Sequence, residues 1–184
     1  DTPLPLWGGD TDLEAIVLEG TGIPMSSFNA TKLEFDFIPV APTISFDFLF
    51  ASDEYGLYQC NYSDSFAFIL TDLDQPDAVP VNLAVLPNTS IPISVITIRN
   101  TIFNTECGSA NEGYFGNYYG QFHQNTWGYM PESTPPMAAP INFFGTTIPL
   151  TASSEVIPGH NYHIKLVIAD RGDAFMDSAV FLEA

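Results

Sequence analysis

The run Leu33-Glu-Phe-Asp-Phe-Ile-Pro-Val-Ala-Pro-Thr-Ile-Ser-Phe-Asp-Phe-Leu-Phe50 sets the fold class. Leu33, Phe35 and Phe37 fall on one face of an extended chain, with Glu34 and Asp36 on the other. Ile44, Phe46, Phe48 and Phe50 repeat the pattern after Pro39-Val-Ala-Pro42. A period of two over this length marks half-buried strands. The pair reads as a hairpin in which Phe37 faces Phe46. That register also sets Asp36 opposite Asp47, and like charges directly opposite cost tenths to about 1 kcal/mol. Either a cation or a basic neighbour such as Lys32 or Lys165 bridges them, or the register is shifted by two.

Outward from this run the alternation continues. Strands are expected over 65–71, 81–86, 93–98, 146–151, 162–169 and 178–182, with a single short helix over 10–18. Many short strands punctuated by Pro and Gly give an all-β chain, a two-sheet β-sandwich of jelly-roll type. Residues 1–184 read as one such domain, and a chain beginning at Asp1 without Met reads as a segment of a larger surface protein. Residues 100–142 change texture to Tyr, Gly and Asn and form a long loop within it. Tyr118, Tyr119, Trp127 and Tyr129 there offer flat amphipathic rings among adaptable amides, the palette of a recognition surface. The alternative is that these rings are buried as a satellite core.

Two acidic groups are set between strands. Asp53, Glu54 and Asp64 lie between the second and third apolar runs, and Asp170, Asp173 and Asp177 between the last two. Oxygen ligands held by turns whose ends are fixed suit a hard cation, and Ca²⁺ is the expected cofactor. The spacing is not that of an EF-hand. The same aspartates also serve as turn formers and solubilising groups. The overall charge favours the cation: 22 Asp+Glu against 4 Lys+Arg give a net charge of −18. Such a field repels phosphate backbones and anionic membranes, which argues against nucleic acid as a partner. No apolar run approaches the roughly 18–20 residues that span a bilayer, so membrane insertion is not expected.

Cys60 and Cys107 are the only cysteines, and both sit in polar, loop-like settings. They cannot build a zinc site and are expected to form a disulfide, which places the chain in an oxidising, extracytoplasmic compartment. Signals for catalysis are weak. Adjacent Asp53 and Glu54 do not establish a glycosidase pair, which needs carboxylates about 5–9 Å apart across a cleft. His160 and His163 point to opposite faces of a strand, and no nucleophile elbow appears.

Several blocks in succession resemble the choice-of-anchor L family of bacterial surface domains. They are Leu33-Glu-Phe-Asp-Phe-Ile-Pro39, Ile44-Ser-Phe-Asp-Phe-Leu-Phe-Ala-Ser-Asp-Glu-Tyr55, Asp64-Ser-Phe-Ala-Phe-Ile-Leu70, Asn82-Leu-Ala-Val-Leu-Pro87 and the run from Pro158 to Glu183. The resemblance extends from about Lys32 to the C-terminus. It implies a non-catalytic module of large secreted or cell-surface proteins, many from gliding Bacteroidota and exported with varied C-terminal anchors. The expected function is therefore a non-catalytic cell-surface adhesion or binding module, stabilised by calcium. The alternatives are a calcium-dependent carbohydrate-binding module and a glycosidase on a jelly-roll scaffold. Expected partners are an extracellular surface, through a glycan or protein ligand, and other domains of the parent protein.

Overall fold

The computed structural model describes residues 7–120, 141–172 and 174–183. One helix, α1 (Thr11–Thr21), precedes β1 (Ser27–Phe37), β2 (Thr43–Ser52), β3 (Ser65–Asp72) and the short β4 (Val81–Asn82). After a 3₁₀ turn at Glu112–Tyr114 come β5 (Phe115–Tyr118), β6 (Gly145–Thr147), β7 (Leu150–Glu155), β8 (Tyr162–Arg171) and β9 (Ser178–Glu183). The strands form two antiparallel sheets packed as a sandwich. The first has the order β1-β8-β3-β4. In the second, β2 is central, with β6 and β7 along one side and β9 along the other, and β5 beyond β6.

The expected pairing of β1 with β2 does not occur. β1 pairs with β8, so Asp36 faces His163, and β2 pairs in the opposite sheet, so Asp47 faces Thr151 on one side and Glu183 on the other. The two strands each carry an apolar face, and stacking sheet on sheet buries Phe48 and Phe50 of β2, whereas Leu33 and Phe35 of β1 stay about half exposed. The Pro39-Val-Ala-Pro42 connection carries the chain across. Its prolines lack the N–H groups that a tight hairpin turn would use.

Between the sheets, Phe48 and Phe50 of β2 meet Phe66 and Phe68 of β3. Ring centroids lie 5.1 Å apart for Phe48 and Phe68 and 5.2 Å apart for Phe50 and Phe66. The apolar stretches at 83–86 and 93–98 are buried as expected, but as packed loops. Isolated bridges join Val85 to Pro92 and Ser65 to Ser94, and Leu86, Ile93, Val95 and Ile98 are closed off from solvent. Burial there comes from plugging the sandwich, so an apolar run need not pair to be core.

The helix packs on the outer face of the first sheet, where Leu13 and Val17 rest on Ala67, Ile69, Val167 and Ala169. Asp10 caps it by accepting from the Asp12 and Leu13 N–H groups. The same buried carboxylate receives Lys32 Nζ at 2.8 Å and Lys165 Nζ at 2.6 Å, and Lys165 also reaches Asp12 at 2.7 Å. Burial alone would raise the Asp10 pKa. The hydrogen bonds from Lys165, Lys32 and the Leu13 N–H outweigh it and bring the carboxyl down to about 2. For Lys165, burial works against the ammonium, and the bonds it donates to Asp10 and Asp12 push its pKa up overall.

Candidate functional site

Register gathers the acidic residues at one end of the sandwich. Ser52 pairs with Ser178, so Asp53 leaves β2 beside Asp177, and the Asp53 N–H donates to the Asp177 carbonyl at 3.0 Å. Ser65 pairs with Ala169, so Asp64 enters β3 beside the point where Asp170 continues β8. The links from β2 to β3 and from β8 to β9 both join one sheet to the other at this end. Asp53, Glu54, Asp64, Asp170 and Asp177, distant in sequence, are thereby drawn toward one pole.

Their environments differ. Asp53, Glu54 and Asp64 are buried, whereas the Asp177 side chain is exposed and Asp170 is half-buried. Asp53 Oδ1 accepts the Phe144 N–H at 3.1 Å, and Glu54 Oε2 accepts the N–H of Asp64. Asp170 Oδ2 accepts from Asn29 Nδ2 at 2.8 Å. Burial lowers the pKa of the half-buried Arg171, and the charge of Glu54 opposes that shift, so a guanidinium stands in the field of the buried carboxylates. Burial, reinforced by Glu54, pushes the phenol of the fully enclosed Tyr55 far up, which fixes it as a neutral group. Among the described residues, no group of three or more His, Cys, Asp or Glu side chains stands together in a way that could hold a metal ion. Asp173 lies outside the described residues.

The connection after β2 is pinned to a distant segment. Cys60 and Cys107 are joined with their Cα atoms 5.5 Å apart. Around the bridge, Gln59 Nε2 donates to the Asn100 carbonyl, Asn104 Nδ2 donates to the carbonyls of Gly56 and Leu57, and Arg99 Nε donates to the Gly108 carbonyl. Gly56 adopts φ 82°, and a side chain there would collide with the Tyr118 phenol. The Tyr118 ring is half-buried and packs beside Phe103, 4.3 Å away centroid to centroid. Tyr119 is half-buried, its N–H bonded to the Phe144 carbonyl. Trp127 and Tyr129 lie outside the described residues.

Beside this pole is a groove of about 440 Å³, whose lining includes Met25, Phe28, Asn61, Tyr62 and Arg171. Tyr62 is 41% exposed, and its ring stands edge-on to Tyr58 at 6.1 Å. The volume lies within the roughly 300–1,000 Å³ of ligand pockets, and polar and apolar groups share its lining about equally. None of these five residues stands out in the sequence as a ligand contact. The available signal was that Arg171 is one of only four Lys+Arg and directly follows Asp170.

The chain belongs to the choice-of-anchor L domain family, whose family model matches residues 1–184, including the N-terminal part that the sequence blocks left out. No curated protein and no solved structure matches it. The family is one of extracellular, surface-associated modules of larger bacterial proteins, and it is not a known class of enzyme. Among the described residues no helix is long and apolar enough to cross a membrane.

Proposed function

We propose that this choice-of-anchor L domain is a non-catalytic adhesion module that takes an extracellular glycan or protein ligand at the disulfide-pinned pole of the sandwich. The observation that supports it is the groove between Phe28 and Tyr62. There an exposed phenol ring, the Asn61 amide and the Arg171 guanidinium converge on a protein that is otherwise strongly acidic. The loop that carries Asn61 and Tyr62 is cross-linked at Cys60, which lowers the ordering entropy that opposes binding. The 1–184 unit then acts as one ligand-holding domain, with other domains of the parent protein providing reach and anchorage.

A glycan array and a whole-cell attachment assay test this reading, with Tyr62→Ala compared against Tyr119→Ala and Trp127→Ala. Tyr62→Ala should weaken attachment by about tenfold, on the scale of a lost stacking contact worth roughly 1 kcal/mol or more. Its melting temperature should change little. If the losses follow Trp127 and Tyr119 alone, the ligand belongs to the 100–142 loop. If attachment survives all three, the pole is not the binding face. Release of reducing ends from a polysaccharide would overturn the non-catalytic reading.

A second reading, calcium-dependent glycan binding, is favoured by the burial of Asp53, Glu54 and Asp64 on the turn whose Asp53 N–H is bonded to the Asp177 carbonyl. A cation at 100 times its dissociation constant would add about 2.7 kcal/mol. Melts in chelator and in excess Ca²⁺ should then separate by several degrees, and coincident curves would remove calcium from the account.

A further inference from the structure

The groove beside the disulfide-pinned pole has a charge character of its own. Among the described residues that line it, Arg171 is the one charged group. A groove of about 520 Å³ at the opposite pole carries Glu155 as its charged residue instead. On a protein with a net charge of −18, a groove whose lining charge is positive favours an anion over a neutral or cationic ligand.

The fold fixes the segments that build this groove. β1 and β8 meet at their ends, where Ser27 pairs with Arg171 and the Gly172 N–H donates to the Ser26 carbonyl at 3.1 Å. That bond holds the segment carrying Met25 and Phe28 against the one carrying Arg171. Asn61 and Tyr62 directly follow the bridged Cys60, and their N–H groups both donate to the Tyr58 carbonyl, at 3.0 and 3.1 Å. Tyr58 also supports the Tyr62 ring edge-on, and the ring stays exposed.

Each lining group suits a different part of one ligand. A guanidinium carries five N–H donors in a planar fork, so Arg171 can answer the charge of Glu54 and still offer a parallel pair of donors to a ligand carboxylate. An amide both donates and accepts, which matches neighbouring hydroxyls, and an exposed phenol ring is a flat surface for the C–H face of a sugar. Given that this groove is the adhesion site, as the function above requires, we propose that its ligand is a uronic acid residue of an acidic polysaccharide. The carboxylate lies on Arg171, the hydroxyls on Asn61 and the sugar ring against Tyr62. A glutamate-rich peptide has the same charge but no ring of hydroxyls for Asn61 and Tyr62 to use. The distant carboxylates of the protein do not forbid the contact. Their field decays over about 8 Å at physiological ionic strength, whereas a partly buried pair is screened much less.

The probes are an oligogalacturonide and the same oligomer with its carboxyls methyl-esterified, so that the charge is removed from the ligand and not from the protein. Both are titrated in chelator at physiological ionic strength, which keeps calcium from bridging the ligand to the protein's own carboxylates. The free acid should bind about tenfold tighter than the ester, the scale of one charge-assisted contact. Arg171→Gln should bring the two to the same affinity, and Tyr62→Ala should weaken both. The ester comparison uses wild-type protein, so it decides even where Arg171→Gln, near the buried Glu54, lowers the melting temperature. Equal affinity of the wild type for acid and ester, with both weakened by Tyr62→Ala, would overturn the uronate and leave the groove as a glycan site. A preference for the acid that survives Arg171→Gln in folded protein would overturn it too, as would a sulfated galactan or a glutamate-rich peptide bound as tightly as the free acid. Binding of neither oligomer would also overturn the uronate, and Tyr62→Ala on the glycan array then decides separately whether the groove takes any sugar.

Discussion

Two of the places where carboxylates are buried in this fold, under the helix and at the disulfide-pinned pole, hold them by different means. Under the helix, Asp10 is met by two ammonium groups and two helix N–H groups, so its charge is matched within one hydrogen-bond radius. At the disulfide-pinned pole, Asp53 and Glu54 accept backbone N–H groups offered by the loops themselves, from Phe144 and Asp64. The first arrangement is a clip between a helix and a sheet. The second is only as firm as the loops that present those N–H groups. Net charge alone would not have separated them, since both are made of the same residue types.

The clip should be the more costly to break. Lys165→Met leaves Asp10 buried with Lys32, itself 41% exposed, as its remaining ammonium. Removing one partner of a buried pair typically destabilises by about 3–5 kcal/mol, and urea unfolding should show a loss of that size. Hydrogen exchange should rise first in α1. A loss below about 1 kcal/mol, the range of surface pairs, would mean that the clip is solvated and that the contrast with the pole fails.

The pole should respond instead to its cross-link. Replacing Cys60 and Cys107 together by Ser frees a loop whose ends are 47 residues apart, worth about 4 kcal/mol in the chain-entropy model and commonly 2–4 kcal/mol in practice. Faster exchange should be concentrated in 53–64 and 99–110, with α1 protected relative to the global unfolding free energy. A uniform rise everywhere would show that the two ends open as one unit.

How much of this was legible in the sequence follows from what periodicity encodes. A period of two fixes faces, so the inward positions of β2, β3 and β8 are readable from residues such as Phe48, Phe66 and Ile164. It says nothing of partners, which is why Asp36 was set against Asp47 when it faces His163. It is also blind to coverage: Leu33 and Phe35 have the pattern of core residues and yet stay about half exposed. At the pole, the acids were legible as residue types between strands, whereas their convergence depends on the β2–β9 and β3–β8 registers. Tyr62 and Arg171 come from segments that only the folded chain brings together, and no spacing rule joins them.

The smallest expected effect concerns acid. In the folded protein the Asp10 carboxyl titrates at about 2, against 3.8 for the ordinary group. A depressed carboxyl pKa means that the unfolded chain binds the proton first. The stability it contributes is therefore complete above the ordinary value, declines as pH falls, and is gone below about 2. The difference amounts to on the order of 2 kcal/mol. Asp10→Asn keeps an oxygen for the helix N-cap while removing the charge, so it isolates the ionic part from the capping part. The stability gap between wild type and variant should be widest near neutral pH and should close as acid is added toward the folded pKa. Lys165 does not confound the comparison, because its pKa is raised and its contribution is lost only on the alkaline side. A gap that stays constant across the acid range would show that Asn fails by shape or capping, leaving the ion pairs of the clip with no measurable share in its strength.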